Sequence, residues 1–233
     1  MYPPLDHDTP VAETGEVLSP SSWLSESDAD ALRSVGSRRS APPGATLVSE
    51  GDEPHDVLLI TQGRVKIVST APSGTEVVLA VVGAGAIVGE LSAIDGAPHS
   101  ASAVAVDDVE VVAVHGRAFL DFLDQNRSAM QALLRLTVGR LRHSSDRQLE
   151  FAAIDALGRV CRRLTELADD ASGGGEATIQ LGLTQHEFAQ WCGLSREAVV
   201  KALRRLRDLG WISQSESTVT IHDPDALRSR GAG

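Results

Sequence analysis

Within twelve residues, Arg196 to Arg207, the chain gathers Arg196, Lys201, Arg204, Arg205 and Arg207 against the single acid Glu197. Such side chains suit the edges of base pairs. An arginine can donate two hydrogen bonds at once to guanine O6 and N7, a glutamate can accept from cytosine N4, and a lysine can donate to guanine or phosphate. Arg204, Arg205 and Arg207, farther along, are better suited to phosphates, which position a protein on a duplex without specifying sequence. A solvated helix face is the plainer alternative. A second run, GELSAIDGAPHSASA from Gly89 to Ala103, offers different chemistry. Free backbone N–H groups in such a turn can hold an anion, the Ser100 hydroxyl can add a donor, and Glu90 can accept from a sugar hydroxyl. Read alone, the same run is also satisfied by Gly89 and Gly96 as turn residues and Glu90 as a surface carboxylate.

The basic run needs a helix beneath it. Thr184 with Glu187 three residues later matches a capping box, Gly193 falls in a turn, Ser195 can cap the next helix, and Gly210 is placed to end it. Helix, glycine-containing turn and second helix with a polar first turn make a helix-turn-helix. On that second helix Arg196, Glu197, Val200, Lys201 and Arg204 share an outer surface, while Val199, Leu203 and Leu206 can pack inward. The stretch ISQSESTVTIHD alternates like a small hairpin, a wing. Residues 155–170 read as a further helix, and ASGGGEA as a loop.

The Gly89–Ala103 run lies inside a different texture. From Ala45 to Val114, short apolar runs separated by turn residues predict strands of an antiparallel barrel or jelly roll. Ser25 can cap a helix over ESDADALRSV. RAFLDFLDQN predicts a short helix, and Arg127 to about Phe151 a long one of roughly 36 Å. Leu134, Val138, Leu141, Ser145 and Gln148 recur at alternating spacings of four and three, a coiled-coil seam that turns polar and points to a homodimer. A helix packed on its own barrel is the alternative.

The net charge is −11, yet residues 1–151 carry 21 acidic and 11 basic side chains while 152–233 carry 11 and 10. The acidity thus belongs to the front half. Only Cys161 and Cys192 are present, too few for a disulfide framework, which predicts a reducing compartment and cytoplasmic location. No apolar run approaches the ~20 residues that cross a bilayer, so no membrane partner is expected. Residues 1–22, with Pro3, Pro4, Pro10 and Pro20, read as a flexible extension. A cupin-like metalloenzyme with a DNA-binding domain would need two or three histidines and a carboxylate converging in the barrel. Only His55 and His99 lie in the strand block, so neither a metal site nor an enzyme is expected.

In order along the chain, a β-roll with a Gly-Glu-Leu cassette, a long central helix, the DALGRV segment (Asp155 to Val160) and a winged helix-turn-helix with SREAVVK resemble the Crp/Fnr family of bacterial transcription regulators. The likeness spans about residues 24 to 228. It implies an α+β fold with a cyclic-nucleotide-binding-like β-roll (23–126), a central dimerisation helix (127–153) and a winged helix-turn-helix (154–233). It implies a homodimer on palindromic TGTGA-like DNA, with RNA polymerase as a further partner. Arg196, Glu197 and Lys201 would be the base readers, with Thr184, Gln185, Ser195 and Arg204 completing the DNA contacts. Lys201 stands where the family pattern has arginine and lacks the planar fork. The ligand pocket would be Gly89, Glu90, Leu91, Ser92, His99, Ser100 and Ala101, with Ser144 and Ser145 of the central helix contacting the base, one from each subunit. No cofactor is required; the implied effector is cyclic AMP. His99 stands where cyclic-AMP-binding members place arginine, which keeps open cyclic di-GMP, another ligand, or activity without ligand. Cys161 and Cys192 lie outside the sensor, against an iron–sulfur centre. A nucleotide-binding module that never touches DNA is the remaining alternative.

Overall fold

The computed structural model describes residues 23–171, 177–215 and 218–232 of the 233-residue chain. The extension over residues 1–22 and most of the ASGGGEA loop lie outside the described residues. Ser25 caps α1 (Glu26–Ser34), its hydroxyl accepting from the Asp28 amide at 3.1 Å. The roll follows as β1 (Ser37–Ala41), β2 (Thr46–Val48), β3 (Asp56–Gln62), β4 (Val65–Thr70), β5 (Glu76–Val82), β6 (Ile87–Val88), α2 (Glu90–Asp95), β7 (Ser102–Ala105) and β8 (Val109–His115). These strands form two antiparallel sheets, ordered β1-β8-β3-β6 and β2-β7-β4-β5. The first strand, SRRSA, is an addition to the sequence-based expectation: four of its five residues are exposed, so no apolar alternation marks it.

Both sheets are covered on both faces, and each face has its own partner. Leu58, Ile60, Val65, Ala103, Ala105, Val111 and Ala113 fill the space between the sheets. The intervening residues of β3 and β8, Val57, Leu59, Val112 and Val114, face outward onto Leu32 and the helices α3 (Gly116–Gln125) and α4 (Arg127–Ala153), meeting Phe119, Phe122, Leu133 and Leu136. That double coverage is why DVLLIT is almost continuously apolar rather than alternating.

The C-terminal half comprises α5 (Ala156–Ala171), β9 (Ala177–Gln180), α6 (Gln185–Cys192), α7 (Arg196–Asp208), β10 (Ile212–Ser215), β11 (Thr218–Ile221) and α8 (Pro224–Ala232). The predicted wing hairpin pairs in register, Ile212 with Ile221 through Ser215 with Thr218, but β9 joins it as a third antiparallel strand. The last helix, α8, packs against α5 and was not foreseen. Val160, Leu164, Phe188, Trp191, Val199, Leu203, Leu206, Val219 and Leu227 form this half's core. Val68, Val78 and Val81 of the roll belong to the same buried cluster. The two halves therefore share apolar surface.

α4 spans 27 residues, about 40 Å at 1.5 Å per residue. Ala129, Leu133 and Leu136 on its first turns are buried against the roll, whereas Leu134, Val138, Leu141 and Leu149 are exposed, Leu141 at 68%. Among the described residues, no helix is long and apolar enough to cross a membrane.

Candidate functional site

β6 ends at Val88, the chain turns through Gly89, and α2 begins with Glu90. Glu90 is only 2% exposed. Its carboxylate is ion-paired with Arg140 of α4, whose Nη2 also donates to the Ile87 carbonyl at 2.9 Å. Burial pushes the Glu90 carboxyl above its ordinary range, and the Arg140 charge works in the opposite direction. His99 is buried as well: its amide donates to Asp52 O (2.9 Å) and its carbonyl accepts from Gly51 (2.8 Å). Its Cε1 lies 3.4 Å from the place a Cβ would occupy at Gly89. Ser92 is buried, Ala101 is half-buried, and Leu91 and Ser100 are exposed.

The fold thus brings Gly89, Glu90 and His99 together and adds Arg140, which sequence reasoning missed. A usable cue exists, because Arg140 stands one helical turn before Ser144 and so shares its side of α4. Both serines are exposed. Ser145 donates back to the Leu141 carbonyl at 3.2 Å, and among the described residues neither serine hydrogen-bonds to the cassette.

At the other end, both halves of the capping box are made: Thr184 Oγ1 accepts from the Glu187 amide at 3.2 Å, and Glu187 accepts from the Thr184 amide at 2.7 Å. Ser195 caps α7, its hydroxyl accepting from the Ala198 amide at 3.2 Å. The hydroxyls of Thr184 and Ser195 therefore shape the helix starts. Arg196, Glu197, Val200, Lys201 and Arg204 line one shallow groove on the exposed side of α7, and Val199, Ala202, Leu203 and Leu206 are buried beneath it. Gln185 reaches across from α6, its Oε1 accepting from Arg196 Nε at 3.2 Å. Glu197 is held ionised by the amide at its own helix start and by the Ser195 hydroxyl, which lower its pKa. The face presents cations, one carboxylate and one methyl-bearing side chain, the donor, acceptor and apolar set that base edges require.

Between the two regions lies a buried charge cluster that no sequence motif announced. Arg163 of α5 is fully buried, and its Nη2 reaches both carboxylate oxygens of Glu150 in the last turn of α4, at 2.8 and 2.6 Å. Its Nη1 pairs with Glu166. Burial acts against the Arg163 charge, but the carboxylates of Glu166 and Glu150 outweigh it and hold the pKa above the usual value. The guanidinium carbon lies 5.7 Å from the Trp191 ring of α6. Arg147, one turn back on α4, is lowered to about 10 by burial and by the neighbouring Arg163 charge. The HTH turn is gripped from the same side: Gly193 has φ +63°, and a Cβ there would stand 2.3 Å from Phe151 Cε1 of α4. Arg159 lies over the Phe151 ring at 5.5 Å and donates to the Gly193 carbonyl at 3.0 Å. Cys161 and Cys192, both buried, are pushed up to about 11 and about 12 by desolvation, which makes them poor thiolates. Among the described residues no three metal-capable side chains converge.

Comparison with known proteins agrees with both regions. Residues 38–126 match the cyclic nucleotide-binding domain and residues 158–230 the Crp-like helix-turn-helix domain. The chain is 34% identical over 191 residues, 81% of its length, to the CRP-like cAMP-activated global transcriptional regulator of Mycobacterium tuberculosis, of which 85% is covered. The chain belongs to the Crp/Fnr family of DNA-binding transcription regulators. The cyclic AMP receptor protein of Thermus thermophilus is 29% identical over 211 residues, covering 90% of this chain and 95% of that one. The fold of FixK2 from Bradyrhizobium japonicum superposes with a TM-score of 0.76 over 85% of this chain and 98% of that one, at 22% identity. In this Crp/Fnr regulator the roll falls within the match to the cyclic nucleotide-binding domain, and α6 and α7 fall within the match to the Crp-like helix-turn-helix domain. The Mycobacterium tuberculosis relative is a transcriptional regulator.

Proposed function

We propose that this Crp/Fnr regulator acts as a homodimer on palindromic TGTGA-like sites and responds to cyclic AMP. The observation that carries the ligand assignment is the ion pair between buried Glu90 and Arg140, whose side chain stays 40% exposed, beside His99. Glu90 is an acceptor for a ribose hydroxyl, and Arg140 supplies the permanent, forked cation that a cyclic phosphate needs and that a histidine with a reference pKa of ~6.5 does not. The cAMP-activated relative in Mycobacterium tuberculosis supports the same choice. On α7, Arg196 and Lys201 would donate to guanines and Glu197 would accept from cytosine, while Arg204 and the flanking Gln185 hold phosphates or neighbouring readers. The exposed apolar stripe of Leu134, Val138, Leu141 and Leu149 suits a second copy of α4. In that dimer Ser144 or Ser145 can face the partner's nucleotide. A ligand at the roll–helix junction shifts the arrangement of the reading helices only by its differential affinity for the two arrangements. Such a regulator works in the cytoplasm, with RNA polymerase as its downstream partner.

The deciding experiment is calorimetric titration of the nucleotide-stripped protein with cyclic AMP, cyclic GMP and cyclic di-GMP, repeated with Arg140→Met. Micromolar cyclic-AMP binding lost in Arg140→Met is expected. His99 favours a second reading, a different anionic nucleotide; cyclic di-GMP binding with cyclic AMP silent would establish it. Silence with all three would leave the roll without a nucleotide role.

A further inference from the structure

The outer face of the β2-β7-β4-β5 sheet is apolar where a solvated antiparallel sheet would be polar. Val68, Val78 and Val81 are buried, and Val104 packs beside them. A register shift between Ile67 and Val68 sets Val78 rather than Leu79 opposite Val68, so Val78 and Val81, three residues apart, share this face. What covers it is the DNA-binding half of the same chain, in one cluster with Phe188 and Trp191 of α6.

Polar contacts fix that cover at three separated points. Lys66 of β4 is ion-paired with Glu187, the capping-box carboxylate at the start of α6, and each side chain is 21% exposed. Arg64, anchored by Asp107 (Nε to Oδ2, 2.8 Å), donates from Nη1 to the Gln180 carbonyl at the end of β9 at 2.6 Å. Gln190, near the end of α6, donates to the Glu76 carbonyl of β5. Beside them Gly182, at φ +63°, approaches the roll so closely that a Cβ would stand 2.3 Å from Val106 Cγ1 and 2.8 Å from Arg64 Nη2. Glu187 and Gln190 tie the two ends of α6 to the roll, and Gln180 ties the strand that precedes it. α7 is joined to α6 by the Gly193 turn and the Gln185–Arg196 bond. In this arrangement Arg196, Glu197, Lys201 and Arg204 all remain exposed, so the contact orients the reading helix without covering it.

We infer that this sheet face is the seat that sets the posture of the reading helix, with Lys66 and Arg64 as positioning residues for DNA binding that act through α6 and β9. The inference rests on the dimer-on-palindrome reading: the separation of two reading helices is then set by two seats as well as by the central helices, and the seat is read out as a preference for half-site spacing.

The test is fluorescence anisotropy of full-length protein, saturated with its nucleotide where one binds. The DNA is a series of palindromes with identical half-sites and spacers lengthened or shortened by single base pairs. Lys66→Met should bind the preferred spacing about tenfold more weakly, the order of one charge-assisted hydrogen bond, and the preference among spacings should flatten. Base preference within the half-site and the thermal midpoint of the roll should stay as in the wild type, and Lys66→Arg should restore the spacing preference. Glu187→Gln, which keeps a capping-box acceptor, should reproduce the loss, and the two changes combined should not add. Unchanged affinity and spacing preference in Lys66→Met overturns the inference. Tighter DNA binding by Lys66→Met also overturns it, since the contact would then be a restraint. A wild-type protein that binds no palindrome at any spacing refutes the dimer-on-palindrome reading first, and the inference with it.

Discussion

Replacing Glu150 by alanine tests whether the α4–α5 joint is held by buried charge. Glu150 is 2% exposed and Arg163 fully buried. The carboxylate accepts from Arg163 Nη2 at 2.8 and 2.6 Å and lies 3.6 Å from Arg162 Nε. Removing it leaves the fully buried Arg163, with Arg162 and Arg147 beside it, facing the single carboxylate of Glu166. Breaking a buried pair by deleting one partner costs about 3–5 kcal/mol, because the surviving ion keeps its desolvation penalty. For a chain of this length each kcal/mol lowers the thermal midpoint by about 2–4 °C, so a fall on the order of 10 °C is expected. Glu150→Gln, which retains an acceptor without the charge, should fall between wild type and alanine. The double change Glu150→Met with Arg163→Met should recover most of the loss, since both charges leave together and Glu166 keeps Arg162 at 3.8 Å. Thermal and urea unfolding at neutral pH measure all three. A loss below about 1 kcal/mol in Glu150→Ala, or a double variant no more stable than the single, would refute the assignment of a desolvated ion pair.

His99→Arg places a forked, permanent cation beside Gly89 and Glu90 and should tighten cyclic-AMP binding in calorimetry; unchanged affinity would mean that the phosphate does not sit there. Gly193→Ala forces a Cβ at φ +63° to within 2.3 Å of Phe151 Cε1. It should cost about 1–2 kcal/mol from the left-handed backbone alone, with a further loss in DNA affinity as the turn shifts, and Phe151→Ala should relieve only the second part. His143 has its pKa lowered from 6.5, chiefly by burial, with Glu166 acting the other way and Arg147, Arg163 and Arg162 adding to the decrease. A folded-state pKa below the unfolded one means the contribution is complete above pH 6.5 and is lost as pH falls toward the folded value. Urea midpoints on either side of pH 6.5 should therefore drop on acidification, and less so in His143→Gln.

What was legible in the sequence was whatever is written in neighbouring residues. The capping box of Thr184 and Glu187, the Ser195 cap and the αL Gly193 are each defined within four residues, and all three occur as read. The roll's strands were marked by apolar runs ended by glycine. β1 escaped because four of its five residues are exposed, so it pairs with β8 without any apolar alternation. The start of α8 did carry a cue, Asp223 before Pro224, and Asp223 Oδ1 accepts from the Ala226 amide at 2.9 Å. The shared exposed side of Arg196, Glu197, Val200, Lys201 and Arg204 followed from helical spacing. Arg140 did not follow, because its partner Glu90 lies 50 residues away, and Lys66 lies 121 residues from Glu187. Pairings of that range leave no local spacing. One trace was present: TEVVLAVV is apolar without alternation, the pattern of a strand covered on both sides, and the cover is the DNA-binding half.

The central helix joins these observations because it presents two faces with different tasks. Leu134, Val138, Leu141 and Leu149 point to solvent in the single chain. Arg140, His143, Arg147 and Glu150 follow one another at spacings of three, four and three, hence along one side. Arg140 meets Glu90 and the Ile87 carbonyl, Arg147 donates to the Leu79 carbonyl of β5, and Glu150 holds Arg163. From Arg140 to Glu150 the helix rises about 15 Å, so one rod touches the Glu90 cassette, strand β5 and the first helix of the C-terminal half. A nucleotide phosphate drawn to Arg140 would compete with Glu90 for it, and any roll or slide of the rod that follows must also move Glu150. Separating Glu150 from Arg163 would leave a desolvated ion unpaired, so a displacement of α4 would carry α5 with it through that pair.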